Sequence, residues 1–195
     1  MDFHEIRKKV KKELDKERYE HTKGVMYTAA CLAMAYEADI DKAMLAGLLH
    51  DCAKCIPNDE KIALCEKHDM LISAVERENP HLLHAKAGAI LAEKKYGVHD
   101  PEILHAIIVH TTGEPEMSLL DKIIYVADYI EPKRDKAPNL DQVRRLAFEN
   151  LDCCIAQILY DTLAYLNGRK GSIDPSTYIT YEYYKQYREE EICRP

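Results

Sequence analysis

The amino-acid sequence predicts an all-α fold, arranged as one helical bundle of about seven to nine helices. Apolar residues recur at three- and four-residue steps, for example at Val25, Ala29 and Leu32, and this is the spacing of one helix face. Clusters of Gly, Pro, Asn and Asp divide the chain into pieces of helical length. Sustained alternation of apolar and polar residues, which is typical of strands, is lacking.

The helices are predicted between turn signals that recur along the chain. These signals lie at 39–41, 57–59, 79–80, 97–101, 111–115, 132–138 and 168–175. The apolar stripes between them comprise Val25, Ala29, Leu32 and Tyr36 in an early helix, Ile103 and Ile107 in a middle one, and Leu120, Ile124 and Ala127 in the next.

Two late segments are predicted to be packing helices. The stretch 139–167 has no internal turn signal and is expected to form one long helix, and a C-terminal helix is expected over 176–190. Tyrosines 178, 181, 184 and 187 step by three along it, and a packing stripe explains them better than a binding site does.

Length and composition indicate one cytoplasmic domain spanning 1–195. The chain has 195 residues, 47% of them hydrophobic, and only 7 glycines and 8 prolines, which is a globular profile. No apolar run approaches the ~18 residues of a membrane helix. The net charge of −7 disfavours attraction to nucleic acid or to an anionic membrane. The odd number of cysteines, 7, favours reduced thiols over a disulfide framework.

Polar residues continue several apolar stripes into positions that should face the core. His21 extends the stripe of Val25, His110 follows Ile107, and Asp128 follows Ile124, each at a three- or four-residue step. An ionised carboxylate alone in a dry core is costly, so these groups require partners.

A single histidine on such a stripe is usually a hydrogen-bonded core residue, but several together indicate a metal site. The set of four imidazoles and two carboxylates comprises His21, His50, Asp51, His84, His110 and Asp128. Imidazole and carboxylate suit Fe, Mn, Co, Ni or Zn, and the lack of thiolates favours a catalytic over a structural site.

The segment LLHDCAK (48–54) places a histidine beside an aspartate. A carboxylate has two oxygens, so Asp51 could bridge two ions while His50 binds one. Lys54 returns to the same side of a helix and could meet a phosphate oxygen, although a solvated lysine explains it equally well. Cys52 and Cys55 form a CxxC pair, which is a poor redox candidate because it lies toward a helix C-terminus.

Longer strings around these residues resemble one family. The strings are RYEHTKGV (18–25), LLHDCAK, HLLHAKAGA (81–89), YGVHDPEILHAIIVHTTG (96–113) and MSLLDKIIYVADYIEP (117–132). They resemble the HD-domain metal-dependent phosphohydrolases, and among these the bacterial symmetrical dinucleoside-tetraphosphatases of HD type, the YqeK family. The likeness spans about 18–180, and the chain departs from the family pattern at Ala85, where a glycine is common.

The resemblance implies an all-helical HD fold with two metal ions, expected to be iron with manganese or cobalt as substitutes. It implies central cleavage of diadenosine tetraphosphate into two ADP, and a homodimer. One metal would be held by His21, His50, Asp51 and Asp128, and the second by Asp51, His84 and His110. The basic and loop residues implied to contact phosphate are Arg18, Lys54, Thr111, Thr112, Gly113 and Arg134.

On this interpretation Asp51 and Lys54 would act in catalysis, and the two cations would give an acidic protein the positive charge that a polyanionic substrate needs. Two alternatives stay open from the sequence. One is a hydrolase of this fold that acts on another nucleotide, such as a guanosine polyphosphate or a nucleoside monophosphate. The other is a non-catalytic module that senses nucleotides.

Overall fold

A computed structural model describes residues 2–168 and 173–189, and in these ranges the chain is helical without strands. The α-helices are α1 (Phe3–Glu13), α2 (Lys16–Ala35), α3 (Ile40–Leu49), α4 (Asn58–Lys67), α5 (Ala74–Glu78), α6 (His84–Lys94), α7 (Pro101–Val109), α8 (Leu119–Ile130), α9 (Leu140–Glu149), α10 (Leu151–Asn167) and α11 (Pro175–Tyr184). Two 3-10 segments, Pro80–Leu83 and Lys185–Glu189, precede α6 and follow α11. The all-α prediction is confirmed.

Most helices begin at a side chain that accepts a hydrogen bond from an amide of the first turn. This interaction satisfies one of the N–H groups that a helix leaves without a partner at its start. The residues that cap helices in this way are Asp2, Asp15, Asp39, Ser73, Asp100, Ser118, Asn150 and Asp174.

The main core lies where α2, α3, α7, α8 and α10 pack together. Helices α2 and α3 approach closely because α3 carries Gly47 at the contact: a Cβ there would lie 3.0 Å from the Cα of Met26. A smaller apolar cluster under α4 and α6 comprises Ala53, Cys65, Leu83, Ala87 and Ile90. The two clusters flank the segment 50–55, and this position brings His50 and Asp51 to the middle of the protein.

The late helices differ from the prediction in two ways. The stretch 139–167 is not one helix, because Asn150 adopts extended backbone (φ −158°, ψ 111°) and its side chain caps α10 by accepting from the amides of Asp152 and Cys153. The described residues also form eleven α-helices rather than seven to nine. Short helices such as α5 add to the number, since five residues are too few to show a periodic stripe.

The C-terminal helix α11 packs against α10, and its tyrosines are not uniformly buried. Tyr184 is fully buried and its hydroxyl accepts from the Met117 amide at 3.2 Å. Tyr181 and Tyr187 are half-buried, whereas Tyr178 is exposed and donates to Asn167 Oδ1 at 2.8 Å. The packing-stripe prediction is therefore wrong for Tyr178. The predicted helix end at residue 190 lies outside the described residues.

Two further sequence expectations concern membranes and cysteines. None of the described helices has the length and apolar character needed to cross a membrane. Free thiols are found at Cys31, Cys52, Cys55, Cys65 and Cys154. Cys153 is not among these free thiols, and Cys193 lies outside the described residues.

Replacing Asn150 by alanine should lower the free energy of unfolding by ~1 kcal/mol, because two amides of α10 lose their capping oxygen. Urea unfolding followed by circular dichroism measures this change. Asn150→Asp is the matched control, since aspartate caps equally well and should keep most of the stability. Equal destabilisation by both substitutions would show that the cap does not contribute.

Candidate metal centre

Six side chains of the sequence prediction meet in the interior, each delivered by a helix or by a helix end. His21 lies on the second turn of α2, His50 and Asp51 follow the last residue of α3, and His84 begins α6. His110 follows the last residue of α7, and Asp128 lies in the last turn of α8. The structure thus brings together His21, His50, Asp51, His84, His110 and Asp128.

Asp51 lies at the centre of this cluster, and its two oxygens face different histidines. Oδ2 is 3.6 Å from Nε2 of His50 and 3.9 Å from Nε2 of His21. Oδ1 is 3.3 Å from Nε2 of His84 and 3.8 Å from Nε2 of His110. The cluster therefore has two halves that share one carboxylate: the first half contains His21 and His50, and the second half contains His84 and His110.

Asp128 adds a second carboxylate to the first half. Its Oδ1 lies 3.0 Å from Nε2 of His21 and 3.9 Å from Nε2 of His50. The first half thus has four possible ligand atoms and the second half has three, counting the shared Asp51 in both.

Backbone carbonyls fix the orientation of three of the imidazoles. In each case Nδ1 donates to the carbonyl oxygen three residues earlier. Since a carbonyl only accepts, Nδ1 carries the proton and Nε2 carries the lone pair that points into the cluster. The pairs are His50 with Gly47 (2.7 Å), His84 with His81 (2.8 Å) and His110 with Ile107 (2.7 Å).

This arrangement fits a metal ion better than it fits a set of ordinary hydrogen bonds. The Nε2 atoms of His84 and His110 are 3.2 Å apart although both carry lone pairs. Oδ1 of Asp51, which faces them, is buried and makes no hydrogen bond among the described residues. Burying an unsatisfied carboxylate oxygen is costly, and a cation among these atoms would remove the cost.

Burial keeps two of the imidazoles in the form that binds metals. It lowers the pKa of His50 to about 4. It also lowers the pKa of His84 well below its ordinary value, with help from His110 and Lys54. Both rings are therefore neutral near pH 7 and keep a free lone pair, as a metal ligand requires.

The carboxylates of the cluster are ionised despite their surroundings. Burial by itself would raise the pKa of Asp51, but the neighbouring His50, His110 and Lys54 hold it well below its usual range. Burial also opposes ionisation of Asp128, and the hydrogen bond with His21 keeps the pKa of Asp128 low.

His21 differs from His50 and His84 in its ionisation. Burial lowers its pKa, but the hydrogen bond with Asp128 and the charges of Asp128 and Asp51 raise the pKa above its ordinary value. His21 therefore holds an extra proton more readily than His50 or His84 does.

Three basic residues of the sequence prediction border the cluster. Arg18 donates to Oδ2 of Asp51 at 2.8 Å, and the Lys54 ammonium lies 2.9 Å from Nε2 of His84 and 3.6 Å from Oδ1 of Asp51. Arg134 donates to the backbone oxygen of Asp128 at 2.8 Å and to its Oδ1 at 3.3 Å. The side chains of Arg18 and Lys54 are each 33% exposed, so both reach from the carboxylate toward solvent.

The three loop residues after His110 occupy different positions. The Thr111 hydroxyl lies 3.2 Å from Nε2 of His110 and 3.3 Å from Nε2 of His84, so this residue belongs to the cluster. The Thr112 hydroxyl donates to the carbonyl of Gly113 instead. Gly113 has φ +63°, and a Cβ there would lie 2.9 Å from Thr180, so the loop needs glycine at this turn. Thr112 and Gly113 line an adjacent cavity rather than the cluster.

Glu131 is a site residue that the sequence reasoning did not select. Its carboxylate is buried, lies 3.3 Å from Nδ1 of His21 and accepts from the Lys133 amide at 2.8 Å. Gly24 makes room for it, because a Cβ there would lie 2.5 Å from Glu131 Oε2. The spacing in the sequence could have indicated Glu131. It follows Asp128 by three residues, as Gly24 follows His21 by three, and residues three apart share a helix face.

A second group of possible ligands lies outside the cluster. Nδ1 of His105 faces Asp121 Oδ1 and Nε2 faces Glu114 Oε1, each at 3.1 Å. The two ring nitrogens point to different carboxylates, so His105 bridges α7, the following loop and α8 rather than converging on one ion.

Comparison with known proteins places this cluster in a family. The model of the HD domain matches residues 18–133, which include all six clustered side chains. The chain is 42% identical over 174 residues to the symmetrical bis(5'-nucleosyl)-tetraphosphatase of Bacillus subtilis (strain 168), covering 89% of this chain and 92% of that protein. It is 32% identical over 194 residues to the protein of the same name from Staphylococcus aureus (strain NCTC 8325 / PS 47), covering 98% of each.

A solved structure has the same fold. It is that of an HD superfamily hydrolase from Clostridium acetobutylicum, described as involved in NAD metabolism. The two share 38% sequence identity with a TM-score of 0.92, over 95% of this chain and 98% of that one.

Replacing Glu131 by glutamine should weaken metal binding about 10- to 100-fold, because His21 loses the carboxylate that orients its ring. Isothermal titration of the metal-free protein with Mn(II) measures the affinity. Glu60→Gln, an exposed glutamate of α4, is the matched control and should bind as the unmodified protein does. Unchanged affinity in a folded Glu131→Gln protein would rule out this orienting role.

Proposed function

The chain belongs to the HD-domain family, and from this premise we propose that it is a metal-dependent hydrolase that cleaves diadenosine tetraphosphate symmetrically into two ADP. One observation carries the proposal: Asp51 presents its two oxygens to two separate halves of a histidine cluster. Relatives that align over most of the chain are named symmetrical bis(5'-nucleosyl)-tetraphosphatases, which agrees with it. Central cleavage of a tetraphosphate leaves two phosphates on each nucleoside.

We propose that two divalent cations bind the cluster. One would be held by His21, His50, Asp51 and Asp128, and the other by Asp51, His84 and His110. Bound cations of this kind activate water at neutral pH and neutralise phosphate charge. Iron is the proposed native metal because the family resemblance implies it, and manganese or cobalt are proposed as substitutes because imidazole and carboxylate ligands suit all three.

Arg18 and Lys54 are proposed to bind phosphate oxygens. Each lies next to one oxygen of Asp51, Arg18 on the side of the first half and Lys54 on the side of the second. A bound cation would compete for the same oxygens and leave the guanidinium and the ammonium available to the substrate. Both side chains reach the surface, so the polyphosphate would lie between them.

Thr111 and Lys54 are the groups best placed to act on the leaving phosphate. The Thr111 hydroxyl lies within 3.3 Å of two ring nitrogens, so it can donate to an oxygen bound beside them. Lys54 brings positive charge to the same half and would stabilise the charge that develops when the central P–O bond breaks. Arg134 holds Asp128 and would contact the substrate at the rim of the first half.

The substrates that the protein turns over distinguish this proposal from the two alternatives that the sequence leaves open. A hydrolase of another nucleotide would turn over guanosine polyphosphates or nucleoside monophosphates in preference to the dinucleotide. A nucleotide sensor would bind without turnover. The homodimer and the cytoplasmic location stay predictions.

Incubating the protein, loaded anaerobically with Fe(II), Mn(II) or Co(II), with diadenosine tetraphosphate should yield ADP as the sole product on anion-exchange chromatography. ATP with AMP would mean attack at an outer phosphorus, and no product with any metal would contradict the proposal. Asp51→Asn should abolish turnover while the protein stays folded, because asparagine is neutral and keeps only one oxygen, so it cannot present an oxygen ligand to each half. Full activity of a folded Asp51→Asn protein would exclude the bridging role.

Arg18→Gln should lower kcat/KM by about 10- to 100-fold, as expected for loss of a charged hydrogen bond to phosphate. It should also strengthen Mn(II) binding, because a competing cation leaves Oδ2 of Asp51. Steady-state kinetics and isothermal titration measure the two effects. Arg145→Gln, an exposed arginine of α9, is the control and should change neither. Weaker metal binding by Arg18→Gln would contradict the idea that Arg18 competes with the metal ion for Oδ2 of Asp51.

A further inference from the structure

A cavity of about 270 Å³ lies beside the second half of the metal centre, between the start of α6, the loop after α7 and α11. Its apolar wall is formed by Leu82, Ile108 and Ile179, among others. Its polar lining includes Glu76, Lys86, Thr112, Glu114, Asp174 and Ser176. Apolar walls with a few polar groups are typical of small-molecule sites.

The cavity adjoins the metal centre at Thr111. The residue lines the cavity, and its hydroxyl is within 3.3 Å of Nε2 of both His84 and His110. A ligand in the cavity could therefore be joined to a phosphate bound at the second half. Pockets for drug-sized ligands have volumes of ~300 Å³ or more, so this cavity is slightly smaller than the smallest of them. The cavity therefore suits one end of a dinucleotide rather than the whole molecule.

The charges around the cavity exclude phosphate. Three carboxylates line it, those of Glu76, Glu114 and Asp174, against the single ammonium of Lys86 among the described lining residues. Lys86 is already paired with Glu76 at 2.8 Å and donates to the Leu71 carbonyl at 2.7 Å. The cavity therefore favours an uncharged group that presents N–H or O–H donors.

Glu76 provides an acceptor in the lining of the cavity. Its side chain is only 8% exposed. Oε2 accepts from the Ser73 amide and from Lys86, each at 2.8 Å, whereas Oε1 makes no hydrogen bond among the described residues. A largely buried carboxylate that lines a cavity and keeps one oxygen without a partner is a site for a ligand donor.

We propose that this cavity binds the purine base of the nucleoside whose phosphates lie at the second half of the metal centre, with Glu76 Oε1 accepting from an N–H of the base. This inference rests on the proposed function, and it adds which part of the protein recognises the base. Adenine offers an exocyclic amine to the carboxylate and two apolar ring faces to Ile108 and Ile179. The ribose lies toward Thr112 and its hydroxyls donate to the carboxylates at the rim.

Ile179→Trp tests the proposal by filling the cavity. Ile179 is 57% exposed, so the larger side chain should leave the fold intact. With Mn(II)-loaded protein, KM for diadenosine tetraphosphate should rise at least about tenfold while kcat changes little, because substrate binding is lost and the metal centre is not. Met34→Trp on α2, at a residue 58% exposed and far along the chain from the site, is the matched control and should keep the original KM.

Glu76→Gln tests the acceptor. Glutamine keeps the capping box with Ser73, so α5 should still form. Its amide oxygen would take over the bonds from Ser73 and Lys86 and turn an NH₂ group toward the base. ADP should therefore bind about tenfold more weakly to the Mn(II)-loaded variant, whereas inorganic pyrophosphate should bind unchanged.

The outcomes separate this proposal from the proposed function. The base does not lie in the cavity if the unmodified protein makes ADP but Ile179→Trp has the same KM as the unmodified protein and Met34→Trp. The same conclusion follows if Glu76→Gln weakens the binding of pyrophosphate as much as the binding of ADP. If the unmodified protein makes no ADP from the dinucleotide, the proposed function fails, and the titrations with ADP and pyrophosphate still decide whether the cavity binds a nucleoside.

Discussion

The burial of the Asp51 carboxylate is the constraint on which the rest of the structure depends. Its side chain is only 3% exposed, and an ionised carboxylate in such a place is costly unless positive charge and donors surround it. Arg18 and Lys54 supply part of that charge, one at each oxygen. Oδ1 nevertheless makes no hydrogen bond among the described residues. The lack of a hydrogen-bond donor at Oδ1 is the physical reason to expect a cation in this cluster.

The way in which the helices end explains how so many imidazoles converge with the correct nitrogen inward. The last carbonyls of a helix lack an N–H partner within it. His50 and His110 each follow the final residue of a helix and donate Nδ1–H to such a carbonyl, so one hydrogen bond satisfies the helix end and fixes the ring. The His84 ring likewise donates Nδ1–H to the His81 carbonyl of the preceding 3-10 segment, which also accepts from the His84 amide. The helix ends thus direct the Nε2 atoms of three imidazoles into the cluster.

The sequence predicted the all-α fold because apolar periodicity survives in long helices. It indicated His21, His110 and Asp128 because these polar residues continue apolar stripes. The break at Asn150 was missed, since asparagine is tolerated within helices and only its extended backbone reveals the cap. Glu131 was missed for a different reason. It follows the last residue of α8, where a charged residue normally faces solvent, and only the absence of a side chain on Gly24 lets it turn inward.

The distribution of charge around the centre explains how an acidic protein can bind a polyanion in a defined orientation. The basic groups Arg18, Lys54 and Arg134 are gathered at the metal centre, where each already contacts an aspartate of the cluster. The cavity next to it is lined mainly by carboxylates among its charged groups. Phosphate is therefore attracted to one region and repelled from the other, and Thr111 contacts the first region and lines the second. A substrate that carries a neutral base at the end of a phosphate chain can place its phosphates at the metal centre and its base in the cavity. Inorganic polyphosphate can occupy only the metal centre.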